Sequence, residues 1–435
     1  MKKILTAGTA MILSAGFVFA SGIENKSNLS VGALRNLCRN IECERPEAAF
    51  YNIAGTTFLK DGFYVELGNQ FVIKEYSNTL KTGTSLDYKA TDNTPVLLYP
   101  NADIVFKQDK LAVFGTFGIY AGGGSLSYKD GTSVTTAAMI KGAQAASSAA
   151  SQYAAAGMAP EAAKYGALAS GLNAAAPKGG HSLDVTSITY GGQIGASYQI
   201  IENLSIGLAG RFVYGTQDMA IKSNALATLG AGKISYEASG FAFSGVAGIQ
   251  YRVLPELDIS LQYQSISSIE YEVENVKGGE VAAQFGVKDG AKFHTDIPSV
   301  LGLGVGYRPI DPLYLSLSGN YYFNVNAHQD SVLGKTDYDN SWDVSLGADY
   351  RINEILSVSL SGNYACQGIT ENDNSAFNPV LDCASVAGGV EITPTEMVTV
   401  TIGCLYVKYF DETYKKSIEL QKEVFNTGLG LTFKF

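Results

Sequence analysis

After Ala20 no stretch approaches the roughly 18 consecutive apolar residues that a membrane-spanning helix needs. Yet 46% of the 435 residues are hydrophobic. A helical membrane bundle is excluded. Linkers are missing too. A soluble chain of this length would normally divide into domains of about 150 residues, but no Pro-rich or charge-rich stretch separates any. Histidine is nearly absent, with His181, His294 and His328 the three present. All three are expected in external loops, and no GxSxG-type elbow accompanies them. No catalytic residues are therefore assigned and no enzyme is expected. No histidine stands near a cysteine pair, so no metal site is expected, and no cofactor is called for. Basic residues are the minority charge, 31 against 41 acidic, for a net of −10. That balance disfavours nucleic acid and anionic lipid heads as partners.

Five cysteines are present. Cys38 lies close to Cys43, Cys366 and Cys383 flank one loop, and Cys404 is left over. An oxidising compartment would permit two disulfides, Cys38–Cys43 and Cys366–Cys383. Free thiols are the alternative reading.

What is present begins with an address label. Lys2 and Lys3 precede an apolar stretch ending in Val18-Phe19-Ala20, the form of a cleavable signal peptide over residues 1–20. Ser21, not Cys, stands directly after the cleavage point, which argues against a lipoprotein. The chain is read as exported.

From residue 62 onward one texture dominates: segments of about ten residues or more with period-two alternation, which places successive side chains on opposite faces of a sheet. "LYLSLSGNYYF" at 313–323 sets Leu313, Leu315, Leu317, Tyr321 and Phe323 against Tyr314, Ser316, Ser318, Asn320 and Tyr322. "LSVSLSGNY" at 356–364 repeats the theme. Tight connections at 107–110, 201–203, 254–256, 309–312, 352–354 and 393–396 alternate with longer segments, the asymmetry of an outer-membrane barrel. Tyr263, Tyr307, Tyr350, Tyr364 and Tyr406 end strands where an interfacial aromatic girdle belongs. The fold class expected is all-β: a transmembrane antiparallel barrel of about fourteen strands over 62–435, including strands at 94–106, 257–274, 298–308 and 313–326. The last strand, "GLGLTFKF", runs into Phe435, the end by which the barrel-assembly machinery would take up the chain. Ala-rich residues 134–176 break the pattern. They favour helix, in two pieces divided near Gly157 and Pro160, within an external loop at about 130–181. A surface for hydrophobic ligands and a plain helical cap both fit it.

Residues 21–61 then have no strand to join. A barrel this wide has a lumen that wall side chains do not fill, so this segment is expected to fold inside as a plug or hatch. Its last turn reads Tyr51-Asn52-Ile53-Ala54-Gly55-Thr56. That turn resembles the "YNPAGL" signature of the FadL family (FadL/TodX-type) of outer-membrane transporters for long-chain fatty acids and other hydrophobic compounds. "NLSIGLAGRFVYG" at 203–215, "TDIPSVLGLGVGYRP" at 295–309 and "SWDVSLGADYRINEILSVSLSGNY" at 341–364 are also similar to family strands. The resemblance implies passive uptake of a hydrophobic small molecule, with a gate at the hatch and sideways exit into outer-membrane lipid through a kinked third strand. It also implies a monomer. On it, Gly122, Gly123 and Gly124 become candidates for the kink; easing the turn into the long loop is the other reading. Ile53 stands where the family has Pro, which removes a φ restraint and should leave the hatch less rigid.

By alternation from Leu204, Arg211 faces inward near mid-height, where a lipid-facing charge would cost about 2–4 kcal/mol. It is the candidate for a ligand carboxylate. Pairing with lumen acids (Glu66, Asp343, Asp349, Glu391) or with the hatch is the other reading. Cys404 faces lipid. Rival functions are a general diffusion porin, an outer-membrane hydrolase and an adhesive surface protein. A porin would have rows of opposed charge in a lumen that here is mostly Ser, Thr, Asn, Gly and Tyr.

Overall fold

The computed structural model describes residues 29–435, apart from 82, 84–86, 177–180, 224–226, 228–230, 285, 332–333, 336–337, 370–373, 375–378 and 415–416. The proposed signal peptide therefore lies outside the described residues.

The alternating segments hydrogen-bond in sequence and close on themselves as fourteen antiparallel strands. These are β1 (Gly62–Leu80), β2 (Tyr88–Asp92 and Val96–Gln108), β3 (Leu111–Tyr128), β4 (His181–Ile201), β5 (Leu204–Ser223), β6 (Lys233–Leu254) and β7 (Leu257–Gln264 and Glu270–Lys277). They continue with β8 (Lys292–His294 and Val300–Ile310), β9 (Leu313–Tyr322), β10 (Ser341–Arg351), β11 (Leu356–Cys366), β12 (Cys383–Thr395), β13 (Val398–Tyr409 and Glu412–Tyr414) and β14 (Ile418–Lys434). β14 returns to β1, in register from Tyr64↔Lys434 to Leu80↔Ile418. Closure leaves no edge strand, so every backbone polar group in the wall can find a partner without water.

One face of each strand meets lipid and the other the lumen. On β10, Trp342, Val344, Leu346 and Tyr350 are exposed outward while Ser341, Asp343 and Ser345 are buried inward. Trp342 and Tyr350 mark the two ends of the apolar band, consistent with the aromatic girdles at a bilayer's interfaces. Cys404 is exposed on the outer face, as the alternation requires.

Where the strands differ from expectation, the reason is local. β7 is expected unbroken over 257–274 but is interrupted at 265–269, whereas the strand expected at 298–308 is present as Val300–Ile310 with a further short piece, Lys292–His294, before it. Apolar residues hold the odd positions from Leu257 to Tyr263 and again from Ile269 to Val273, but the first set faces lipid and the second the lumen, so periodicity alone does not register the break. β9 stops at Tyr322 because Phe323 (φ −87, ψ 61) leaves the strand for a 3-10 turn at Asn324–Asn326.

Between β3 and β4 stand two helices, α3 (Ser133–Ala155) and α4 (Ala159–Ala175), divided at Gly157 as the sequence implied. Thr132 caps α3 with a capping box. The pair packs on itself through Met139, Ala143, Leu172 and Ala176, and Tyr153 stacks on Tyr165 at 5.2 Å.

Candidate functional site

The chain before β1 lies against the lumen face of the wall. It holds two short helices, α1 (Val31–Arg35) and α2 (Ala48–Tyr51), and two 3-10 turns, Arg39–Ile41 and Ile53–Phe58. (Chain order puts α1 and α2 before α3 and α4.) Burying Arg35, Arg39, Glu42 and Glu47 is tolerable only if each is paired. Arg35 meets Asp349 of β10 and lies 3.6 Å from Glu391 of β12. Arg45 also meets Glu391, and Arg39 bridges Glu42 and Glu47. Asn36 donates to Asp349 at 2.6 Å, and Leu37 N–H to Ser361 at 2.9 Å. The hatch is thereby keyed to the wall by charge and hydrogen bond.

The signature turn is held by glutamines. Gln193 of β4 donates to the Ala49 carbonyl at 2.8 Å, and Gln262 of β7 donates to the Phe50 carbonyl at 3.0 Å. Asn52 donates to Gln250 of β6 at 2.7 Å. Ile53 N–H donates to Gln262 at 2.9 Å. This bond stands against the loosening expected from the missing φ restraint. A proline at 53 would have fixed φ but carried no N–H. Isoleucine gives up the restraint and gains a bond to the wall. Its fully buried side chain sits over Gly207 and Gly248, which are register partners; a Cβ on either would lie 2.9 Å from Ile53 Cγ1. Ser205 donates to the Ala54 carbonyl at 2.6 Å, and a Cβ on Gly55 would meet the Glu42 carbonyl at 2.4 Å. Burial pushes the Tyr51 phenol pKa well up, and its oxygen accepts Leu29 N–H at 2.9 Å.

Arg211 faces inward and is buried. Its Nε and Nη2 donate to Gln193 Oε1 at 3.1 and 2.8 Å, and its Nη1 donates to Gln264 Oε1 at 2.8 Å. Its guanidinium lies 5.1 Å from the Phe50 ring of the hatch and 5.0 Å from the Tyr120 ring of β3. No carboxylate pairs with it among the described residues. The acids suggested as its partners are engaged elsewhere: Asp349 and Glu391 by the hatch, Asp343 by Tyr322 at 2.7 Å, and Glu66 by Thr432 at 3.1 Å. Buried cations are normally neutralised; this one is held by neutral amide oxygens and ring faces alone.

A cavity opens at Arg211, lined also by Leu37, Phe50, Tyr120, Gln264 and Ile297. A smaller one lies beside it, reaching Asn101, Thr116 and Phe117. Leu29, Phe50, Tyr51 and Tyr120 line both and form their common wall. The Thr116–Gly118 lining of the smaller one belongs to β3, beside the point where β3 parts from β2.

There the wall is discontinuous. The β2–β3 ladder ends at Asn101↔Gly118, although β3 continues to Tyr128. Beyond that point β3 bends: Gly122 and Gly123 adopt φ of 66° and 107°, and its register with β4 slips between Ile119 and Ala121 and again between Gly122 and Gly124. Left-handed φ without strain is glycine's property. Tyr99 of β2 lies in the bend, its hydroxyl 3.3 Å from the Ile119 carbonyl; a Cβ on Gly123 would meet its ring at 2.3 Å.

No disulfide joins Cys38 to Cys43 or Cys366 to Cys383. Cys38 and Cys43 are buried in the hatch, where burial pushes the Cys38 thiol up to about 11 and the Cys43 thiol well above its ordinary value. Such thiols give up their protons poorly. In the second pair Cys383 is aligned with Ala365 and both face inward, so Cys366, one residue on, points the other way. The histidine placements also change: His181 opens β4 and His294 ends the upper piece of β8, while His328 lies in a loop. Among the described residues no cluster of three or more His, Cys, Asp or Glu could hold a metal ion. The four glutamines escaped sequence reading, although Gln193 is the register partner of Arg211 and alternation places it on the same face.

A family profile described as "Outer membrane protein transport protein (OMPP1/FadL/TodX)" matches residues 49–434. The chain belongs to this FadL/TodX family of bacterial outer-membrane barrels. No curated protein matches it in sequence. Among solved structures it is similar to a Pseudomonas aeruginosa FadL homologue, with a TM-score of 0.67 at 12% identity over 96% of this chain and 100% of that one. The toluene transporter TodX of P. putida gives 0.61 at 13% over 96% and 99%. The Ralstonia pickettii toluene transporter TbuX gives 0.58 at 13% over 96% and 99%. At such identity the likeness is one of fold, shared by members of this FadL/TodX family.

Proposed function

We propose that this protein carries a single-chain hydrophobic molecule with an anionic head, such as a long-chain fatty acid, passively through the outer membrane. The head group rests on Arg211 and the chain lies in the central cavity. Release requires the hatch turn Tyr51–Gly55 and Phe50 to shift, joining the two cavities, after which the molecule leaves sideways at the Gly122–Gly124 kink. Lateral exit spares an alkyl chain from crossing water. Toluene, named for two of the similar structures, has no charge for Arg211 to meet, so a carboxylate fits this chain better.

The observation that carries this reading is the succession from an un-neutralised arginine, through a shared wall of Leu29, Phe50, Tyr51 and Tyr120, to the end of the β2–β3 ladder at Gly118. Replacing Gly122, Gly123 and Gly124 together by Ala tests it in reconstituted vesicles. The variant should still bind oleate while passing it to the bilayer far more slowly. Unchanged transfer would refute lateral exit at the kink, and swelling of vesicles in small sugars would favour the porin.

A further inference from the structure

We propose that the barrel has a second lateral port, between β6 and β7, through which the alkyl chain of a carboxylate-bearing amphiphile passes from the bilayer to Arg211. This rests on the transport reading above but concerns a different part of the wall, separated from the Gly122–Gly124 kink by strands β3 to β6.

The β6–β7 ladder stops at Val246↔Gln264 and resumes at Ser239↔Glu272. Across the interval Gly245 and Ser265 still exchange bonds, Ser265 N–H to the Gly245 carbonyl and Gly245 N–H to Ser265 Oγ, each 2.9 Å. Beyond them β7 bows into the lumen. A Cβ on Gly240 would stand 2.3 Å from the Glu270 carbonyl oxygen, and one on Gly215 would stand 1.9 Å from the Tyr271 hydroxyl. Gly215 and Gly240 are register partners, so adjacent strands make room together for the bowed segment.

The bow is fastened on its inner side. The fully buried carboxylate of Asp296 accepts the N–H of Ile269 at 3.0 Å and of His328 at 2.9 Å. Ser267 and Ile297 exchange backbone bonds of 3.0 Å, and Ser267 Oγ donates to Ser244 Oγ at 2.8 Å across the seam. On the lipid side the seam is flanked by aromatic rings instead of a ladder. Phe241 and Phe243 are 62% and 72% exposed, and Phe212 lies 5.2 Å from Phe243 and 6.4 Å from Phe241. Just above, outward Glu237 faces outward Asp218 in register, which puts the seam at the upper margin of the apolar band.

Behind the seam lies the cavity. Gln264 ends the lower piece of β7, lines that cavity and accepts from Arg211 at 2.8 Å; Ile297, paired to Ser267, lines it too. A chain lying against Phe241 and Phe243 would need the Ser244–Ser267 contact, and with it the adjoining Gly245–Ser265 bonds, to part for its carboxylate to reach Arg211. The apolar rings suit the tail and the guanidinium suits the head.

The test is a reversible lock: Ser244→Cys with Ser267→Cys, in a Cys404→Ser background, reconstituted in phosphatidylcholine bilayers. Sodium oleate is supplied in the same lipid, and protein-bound oleate is followed over time by mass spectrometry. Oxidation should slow loading about tenfold, reduction should restore it, and occupancy at equilibrium should not change. The pair Phe241→Ser with Phe243→Ser should slow loading without any crosslink. A loading rate indifferent to oxidation, or thiols that fail to join, overturns the port while leaving the transport reading intact. A wild-type protein that never acquires oleate overturns both.

Discussion

The arginines of the hatch and the arginine of the wall sit in one lumen under opposite rules. Arg35, Arg39 and Arg45 each face carboxylates, and Arg35 and Arg45 share Glu391. Arg211, over the Phe50 ring, has only glutamine oxygens and aromatic faces. A cation with its acid built in fixes structure. On the function proposed above, one without is left to meet an anion that comes and goes. The difference separates what holds the hatch down from what the hatch encloses.

The comparison breaks first at Asp349. Asp349→Ala leaves Arg35 buried with Glu391 at 3.6 Å as its remaining acid, and severing a buried pair costs about 3–5 kcal/mol. Amide exchange across residues 31–45 should speed up by two orders of magnitude or more, roughly one per 1.4 kcal/mol, while β1 and β14 stay protected. Unchanged exchange would mean that the ion pair does not anchor the hatch. Gly207→Ala should act less strongly. Its new methyl meets Ile53 at 2.9 Å, and overpacking costs about 1–3 kcal/mol. Here the faster exchange should be confined to residues 52–58, which would sharpen the distinction between turn and ion-pair anchors. Smallest is Ile53→Pro, which restores φ but deletes the donor to Gln262. A net loss of about 1 kcal/mol should appear as a slightly lower melting temperature. A gain instead would show that the φ restraint outweighs the bond.

Much of this was legible in sequence because period-two alternation assigns every wall residue a face. Arg211 inward, Cys404 outward and the closing strand at 418–435 follow from parity alone. The bend at Gly122–Gly124 has three consecutive glycines in a strand as its signal. What stayed hidden depends on cross-strand register. Cys366 and Cys383 look bridgeable until Ala365 proves to be aligned with Cys383. Ile53 looks like a loss until its N–H finds an acceptor 209 positions away. The interruption in β7 was invisible because its apolar residues keep to odd positions on both sides while the faces exchange. Arg211's lack of an acid was undecidable for the same reason: Asp343, Asp349, Glu66 and Glu391 share its face, and which of them the hatch claims depends on how the hatch docks.

The contrast between the two arginines is tested most directly by measuring, on Arg35→Ala and Arg211→Ala side by side, the affinity for oleate and for oleyl alcohol together with amide exchange in the hatch. Arg211→Ala should weaken oleate about tenfold or more, the scale of a lost bond to a charged group, and leave oleyl alcohol bound as before. Arg35→Ala should loosen residues 31–45 for either ligand. Equal weakening of acid and alcohol by Arg211→Ala, or no weakening of either, would contradict the account.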